Sequence, residues 1–160
     1  MSMSIEYQLY DATDKILGRF CSIIAKKALL GEHIVIINAK DAIISGTRKE
    51  IHENYLAKLK ISTATNPRRG PFHERRPDTV MRRVIKQMLP RKKLRGKEAI
   101  KRVHIYISDI PERFKNKYQK LVSSEINNVD KTRLSYYNRY ITLENLCQRI
   151  GWKKGEIEVL

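Results

Sequence analysis

The fold is decided by the segment HIVIIN at residues 33–38, where four apolar residues in a row are all β-branched. A short apolar run between turn residues is typical of a strand that is buried on both faces of a parallel sheet. Before it, residues 17–30 carry apolar side chains at helical spacing, and Gly31 ends that helix. Residues 7–11 predict a first strand. Strand, helix and strand in this order predict a βαβ unit with a parallel sheet.

The pattern continues after this unit. Residues 42–44 form a short apolar piece that leads to Ser45-Gly46, and a helix follows. We expect Thr47 and Glu50 to form a capping box, in which the Thr hydroxyl accepts from the amide three residues on and the Glu reaches back. Three side chains of that helix are expected to be buried: Ile51, Tyr55 and Leu59.

The second half of the chain is less regular. We predict a helix at residues 78–89 that Pro90 ends, a short helix around residues 97–102, and the last strand of the sheet at residues 103–107. The first of these helices is expected to bury Val80, Met81, Val84, Ile85 and Met88. Beyond the strand the chain is polar and weakly patterned, until a short amphipathic helix at residues 143–150.

The length of 160 residues suits one compact domain better than two. We therefore predict a single domain over residues 1–160, with a compact α/β core at about residues 5–110 and a polar C-terminal segment at about 111–160. Apolar residues make up 41% of the chain, which excludes disorder throughout.

Charge is the most informative feature of the composition. Lys and Arg number 33 and Asp and Glu 17, which gives a formal net charge of +16. A compact protein with this charge repels itself unless an anion offsets it, so the partner is expected to be nucleic acid or an acidic membrane face.

The membrane is the weaker of these two partners. The longest apolar run, residues 34–37, is far shorter than the roughly 20 residues that span a bilayer. Residues 1–6 predict no signal peptide, and residues 156–160 contain no cysteine for lipidation. We expect a cytoplasmic protein without a membrane partner.

The positive charge is concentrated in residues 66–102, which we call the basic segment. It contains 14 Lys and Arg against three acids, a net charge of +11. A solvated charged surface usually mixes both signs, and this segment does not. It is rich in Arg, whose planar fork suits bidentate contact with phosphate and stacking on bases. The segment therefore predicts RNA binding.

Its most specific stretch is NPRRGPFHERRP at residues 66–77. The prolines limit its conformational entropy, and Gly70 allows a close approach of the backbone. Phe72 and His73 could stack on unpaired bases, as is common for single-stranded RNA. The alternative is a solvated loop whose Phe packs into the core.

The predicted RNA contacts are cations of the basic segment, its two aromatic side chains, and one Arg near the start of the first helix. They are Arg19, Arg68, Arg69, Phe72, His73, Arg75, Arg76, Arg82, Arg83, Lys86, Arg91, Lys92, Lys93, Arg95 and Lys97. Arg19 has two interpretations, either as a contact to a phosphate or as one exposed side chain beside a tight turn.

Motifs of enzymes are missing from the sequence. The four histidines form no H-x-x-x-H or H-E-x-x-H pair, so no metal site is predicted. Residues 45–47 precede a helix and could bind a phosphate, but they lack the glycines and the Lys of a P-loop. We expect no catalytic residue, cofactor or small-molecule substrate. Cys21 and Cys147 are predicted to be reduced packing residues, with a disulfide as the alternative.

Five stretches of the sequence match a known family, in order along the chain. They are DKILGR at 14–19, VIINA at 35–39, ISG at 44–46, NPRRGPFH at 66–73, and MLPRK at 88–92 leading to Arg95-Gly96. Through them the chain resembles the universal large-subunit ribosomal protein family numbered thirteen (L-thirteen), over about residues 5–110.

The stretch at 66–73, together with MLP, resembles the archaeal and eukaryotic branch of the family, because the bacterial branch has a different loop there. The chain has no longer C-terminal extension of the kind usual in eukaryotic members, so we expect an archaeal source. Residues 111–141 depart most from the family pattern.

The resemblance implies a three-layer α/β/α fold around a parallel sheet of about four strands, with a basic loop and a C-terminal tail. It also implies a structural role in the large ribosomal subunit, where the protein binds folded large-subunit ribosomal RNA, meets neighbouring large-subunit proteins, and supports assembly and translation. The alternative is a free-standing nucleic-acid enzyme or regulator that uses the same basic segment. A nuclease would need clustered carboxylates for metal ions, and the basic segment contains only Glu74, Asp78 and Glu98.

Overall fold

The computed structural model describes residues 6–116, 118, 120–126, 129–134 and 139–153. Residues 1–5 and 156–160, on which the expectations about a signal peptide and lipidation rest, lie outside the described residues, as do both ends of the predicted domain. The helices are α1 (Leu17–Leu30), α2 (Arg48–Lys60), α3 (Pro77–Met88), α4 (Leu94–Lys101), α5 (Glu112–Lys115) and α6 (Leu143–Arg149). The strands are β1 (Tyr7–Asp11), β2 (His33–Ile37), β3 (Ile43–Ser45), β4 (Val103–Ile105), β5 (Leu121–Ser123) and β6 (Tyr140–Thr142).

The main sheet is parallel, and its strand order is β4-β2-β1-β5. In its centre Tyr7 lies opposite His33, and Asp11 lies opposite Ile37. α1 makes the crossover between these two strands and ends at Gly31, whose φ of 104° is in the left-handed region that glycine adopts without strain. β3 and β6 form a separate antiparallel pair. The predicted βαβ unit and the four-stranded parallel sheet are confirmed.

The central strand β2 is buried on both faces. Ile34 and Ile36 belong to the core cluster that contains residues of α1, α3 and α4. Val35 points to the opposite face, where it clusters with Tyr7, and Phe114 of α5 packs against this second cluster. Helices therefore lie on both faces of the sheet, and the three-layer α/β/α arrangement is confirmed.

The C-terminal segment contributes to the same core. Leu143, Leu146 and Cys147 are fully buried there. Backbone hydrogen bonds tie this segment to the turn after β1, since the Ile16 amide donates to the Val129 carbonyl at 2.8 Å. The core thus extends past the predicted boundary at about residue 110, into a stretch whose polar composition concealed it.

The sequence predicted that residues 103–107 form the last strand of the sheet, and this prediction is wrong. β5 follows it and pairs with β1 at the opposite edge. β5 has only three residues, all exposed, so it leaves no periodic pattern. The strand at 103–107 itself ends at Ile105, because the carbonyls of residues 106–108 accept hydrogen bonds from the amides of residues 38–40.

Three local predictions need correction. Thr47 makes no side-chain capping bond; the Ile51 amide donates to its carbonyl at 3.0 Å, and the exposed first turn of α2 leaves its other amides to water. Met88 is 43% exposed, because α3 ends there and Leu89 takes the buried position. The helix predicted around residues 97–102 in fact begins at Leu94. The prediction placed its start too late because Gly96 weakens the helical signal in the sequence.

In the described part of the chain, no helix has the length and the apolar character that crossing a membrane requires.

The contribution of α6 to the core can be tested with two matched substitutions. Leu146→Ala should lower the free energy of unfolding by about 2–5 kcal/mol, because it leaves a cavity at a fully buried position. Leu30→Ala removes the same atoms from a side chain that is 74% exposed, and should change stability by less than about 0.5 kcal/mol. Urea denaturation measures both. Equally small effects would show that α6 does not belong to the core.

Candidate nucleic-acid interface

The basic segment forms part of one helical layer. It runs through the end of an exposed loop, α3, a turn and α4, and both helices pack against α1. α3 is amphipathic: Val80, Met81 and Ile85 are buried, while Arg83 and Lys86 are exposed. All the predicted Arg and Lys contacts, Arg19 at the start of α1 included, are exposed. The hydrophobic core thus leaves the predicted Arg and Lys contacts on the outer side.

The loop at residues 61–76 is closed by side chains near its ends. The His73 ring donates to the Ile61 carbonyl at 3.2 Å, and the Arg83 guanidinium donates to the Phe72 carbonyl at 3.4 Å. Within the loop, the Asn66 side chain accepts from the Arg68 amide at 3.1 Å, which starts a short 3-10 turn. These few bonds set the direction of the loop and leave most of it exposed.

The aromatic side chains of the loop have different environments. Phe72 is 75% exposed, so it does not pack into the core as the alternative interpretation required. An apolar ring held in solvent is available for stacking. His73 is half-buried, and one of its ring nitrogens is already used to close the loop. Of the two, Phe72 is therefore the better placed for contact with a base.

Some of the predicted contact residues also make bonds within the protein. The Arg82 guanidinium donates to the carbonyls of Val103 at 3.0 Å and Ile100 at 3.2 Å, so it joins α3 to the end of α4 and the start of β4. Arg76 forms an ion pair with Asp78 at 3.0 Å. These cations have less freedom to reorient toward a ligand than the sequence suggested.

Arg75 has a neighbour that sequence reasoning missed. It lies against Gly151, just after α6, where a Cβ on the glycine would come within 2.9 Å of the Arg75 Nη1 atom. Gly151 has a φ of 98°, a conformation that disfavours other residues. The basic segment is thereby in contact with the C-terminal segment. No local sequence pattern links two positions so far apart.

The turn between α3 and α4 displays several exposed cations. The Lys93 amide donates to the Pro90 carbonyl at 3.0 Å, and a Cβ at position 96 would lie 2.3 Å from that carbonyl oxygen. Only a glycine fits there, so Gly96 lets α4 pack onto the turn. Within the described residues, none of the exposed cations of this turn has an acidic partner. They are Arg91, Lys92, Lys93 and Arg95.

A second basic surface lies outside the predicted set. Arg48, Lys49 and Arg139 line a depression of about 540 Å³ beside Thr47. The antiparallel pairing of Ser45 with Tyr140 brings these distant parts of the chain together. Sequence reasoning missed this surface because the pairing is long-range.

The cysteines are packing residues, as predicted. Cys21 and Cys147 are free thiols and fully buried, and burial raises the pKa of each to about 12. A buried thiol of this kind is unreactive. The described residues also contain no group of three His, Cys, Asp or Glu side chains placed to hold a metal ion.

Fold and surface together define a class: a three-layer α/β protein with the basic footprint that is typical of nucleic-acid-binding proteins. The family model described as Ribosomal protein L13 matches residues 5–112. The chain belongs to the ribosomal protein L13 family, which confirms the resemblance seen in the sequence. Members of this family are structural, non-enzymatic components of the ribosome, so the prediction that the chain is not an enzyme is also confirmed.

Similar proteins occur in archaea and in an animal. The chain is 37% identical over 148 residues to Large ribosomal subunit protein uL13 of Methanopyrus kandleri, and the alignment covers 92% of this chain and 89% of that protein. Identity to the protein of the same name in Methanocaldococcus jannaschii is 40% over 144 residues, and the alignment covers 89% of this chain and 96% of that protein. Identity to the Caenorhabditis elegans protein of that name is 33% over 157 residues, and the alignment covers 98% of this chain and 75% of that protein. These relatives confirm the archaeal and eukaryotic type.

The internal role of Arg82 can be separated from its charge. Arg82→Ala should lower the free energy of unfolding by about 1–2 kcal/mol, because it removes two hydrogen bonds to backbone carbonyls. Lys86→Ala, one turn further along α3 at another exposed position, removes the same charge and should have an effect below about 0.5 kcal/mol. Thermal or urea unfolding gives the comparison. Equal stability of the two variants would show that the Arg82 bonds contribute nothing.

Proposed function

We propose that this protein is a structural constituent of the large ribosomal subunit that binds and stabilises folded large-subunit ribosomal RNA. In this role it supports subunit assembly and translation in the cytoplasm, and it meets neighbouring large-subunit proteins. Its relatives are named large ribosomal subunit proteins. The observation that carries the proposal is the exposure of the basic segment, with a net charge of +11, along the loop, α3 and α4.

Electrostatics explains why this surface would bind RNA. Each cation that neutralises a phosphate releases condensed counterions, and that release is a large part of the driving force. The cations of the turn after α3 have no acidic partner among the described residues, so RNA would not have to displace one. They are held on a packed turn, which lowers the entropy lost on binding. The proposed contacts are therefore the predicted residues, with this turn at their centre.

Phe72 adds a contact that phosphate binding alone would not provide. The ring is exposed at the end of a loop whose other groups are mostly cationic or polar. Stacking of a base on an aromatic ring contributes about 1–3 kcal/mol. We assign Phe72 to an unpaired base, and Arg68 and Arg69 to the phosphates on either side of it.

The alternative function, a free-standing nuclease, has no support from the carboxylates of the basic segment. Asp78 is paired with Arg76, and Glu98 lies 3.9 Å from Arg102. Two-metal nucleases need carboxylates grouped around ions, and the described residues contain no such group. The structural role is therefore preferred.

RNA binding should depend strongly on salt. If five or more phosphates are neutralised, log K should fall with log salt with a slope of about −3.5 or steeper. The triple variant Arg91→Ala, Lys92→Ala, Lys93→Ala should reduce that slope by about 2–3, at about 0.7–0.9 per phosphate. Filter binding to large-subunit RNA at several salt concentrations measures it.

The matched control removes three exposed lysines elsewhere, in the variant Lys58→Ala, Lys115→Ala, Lys120→Ala. It loses the same charge and should keep most of the slope. A wild-type slope near −1, or equal slopes for the two triple variants, would rule out the basic segment as the main contact surface.

Within the loop, residues 63–76 should become more ordered on binding. Most of its residues are exposed and its arginines repel one another, so little burial offsets its ordering entropy without RNA. Trypsin should cut the free protein first after Arg68, Arg69 or Arg75, and large-subunit RNA should protect these bonds. The strands β2 and β4 should resist in both states. Equal protection of loop and strands in the free protein would show that the loop is already ordered.

A further inference from the structure

A cleft lies beyond the carboxyl ends of β2 and β4. Its floor is formed by the residues that follow β4, and three backbone hydrogen bonds hold them to the residues that follow β2. The amides of Asn38, Ala39 and Lys40 donate to the carbonyls of residues 108, 106 and 107 at 3.1, 3.1 and 3.2 Å. Open α/β sheets characteristically bind ligands at this end of their strands. The cleft is thus preformed by the backbone.

The cleft is large enough for a small ligand and is lined with aromatic rings. Its volume of about 650 Å³ lies within the range of ligand pockets. Tyr106, Phe114 and Trp152 contribute to its walls. The ring centroids of Tyr106 and Phe114 are 6.0 Å apart, and a 2.7 Å hydrogen bond between the hydroxyls of Tyr106 and Tyr118 fixes the first ring. A planar apolar ring is the ligand shape that such walls accommodate best.

The charges that line the cleft favour a neutral ring over a free anion as its ligand. Among the described residues, the ionised side chains that line it are three cations and three carboxylates: Lys40, Arg76, Arg113, Asp78, Asp109 and Glu112. Their formal charges cancel, so the cleft as a whole does not favour an anion such as inorganic phosphate. It does offer both donors and acceptors to a heterocycle that has both on its edges.

The cleft adjoins the basic segment. Arg76 and Asp78 belong to that segment and also line the cleft. A polynucleotide that follows the basic segment would therefore pass the opening of the cleft. Arg76 and Lys40 would be close to its backbone, and an unpaired base could turn inward against the aromatic lining.

We propose that this cleft takes up one unpaired nucleotide of RNA, with the base stacked against the aromatic lining and its phosphate near Arg76 and Lys40. The inference rests on the proposed RNA-binding function and adds a selective subsite to it. Single-stranded loops are where proteins read RNA bases, because unstacked bases can enter pockets and stack on aromatic side chains. The cleft would thus distinguish looped from paired RNA, which phosphate contacts alone do not.

The test uses a reporter that the sequence supplies. Trp152 is the single tryptophan of the chain, and it lines the cleft. Its fluorescence is followed while the full-length protein is titrated with single-stranded hexamers of A, C or U, with a base-paired RNA duplex, and with inorganic phosphate. We expect at least one hexamer to change Trp152 emission, while duplex and phosphate leave it unchanged. Duplex binding is measured separately by fluorescence anisotropy of labelled RNA.

Two variants test the cleft directly. Ser108→Phe fills it from an exposed position on its lining, and should weaken hexamer binding about ten-fold or more, the order of effect expected for loss of a base stack. Phe114→Leu keeps an apolar side chain but removes a ring, and should weaken hexamer binding in the same direction. The control Ser123→Phe places the same side chain on the exposed edge strand β5 and should change nothing. Duplex affinity should be equal in all four proteins.

The outcomes separate the two proposals. Hexamer binding that leaves Trp152 emission unchanged, or that survives Ser108→Phe and Phe114→Leu, would overturn the nucleotide site and leave the proposed function standing. An equal emission change with inorganic phosphate alone would show an anion site and overturn it too. Failure of both hexamer and duplex to bind would overturn the proposed function, and the nucleotide site with it.

Discussion

Burial of both faces of β2 is the constraint on which the rest of the structure depends. Ile34, Val35 and Ile36 are all fully buried, and alternate side chains point to opposite sides of the sheet. A strand of this kind cannot lie at a surface, so neighbouring strands and a layer on each face must cover it. α1, α3 and α4 cover one face. The aromatic cluster around Tyr7 and Tyr118 covers the other.

The same constraint determines where the positive charge lies. α3 has to present Val80, Met81 and Ile85 to the sheet, and its helical period then places Arg83 and Lys86 on the opposite side. A core requirement thus concentrates like charges on one outer layer. Their mutual repulsion is screened over roughly 8–10 Å in physiological salt, so it weakens the folded state without preventing it. A polyanion that binds this layer would remove the repulsion, and its binding would stabilise the folded state.

Sequence reasoning succeeded where a signal is local and failed where it is long-range. The spacing in residues 17–30 and the apolar run at 34–37 are local, and the structure confirms both elements. β5 and β6 have three residues each and exist because distant strands pair with them. The exposure of the basic segment followed from composition. The contact of Arg75 with Gly151 and the walls of the cleft did not, because they join parts of the chain that only the fold brings together.

The contacts within the basic surface also bear on how it can bind. Arg82 and Arg76 are fixed by carbonyls and a carboxylate, whereas the cations of the turn after α3 have no acidic partner among the described residues. Fixed arginines lose little entropy on binding and impose a geometry on the RNA, while unpaired ones contribute affinity with less geometric demand. Both kinds lie on consecutive elements of one chain segment. Under the proposed function, the surface would therefore combine salt-dependent attraction with a defined orientation of the RNA, and orientation is what a structural role in a large assembly requires.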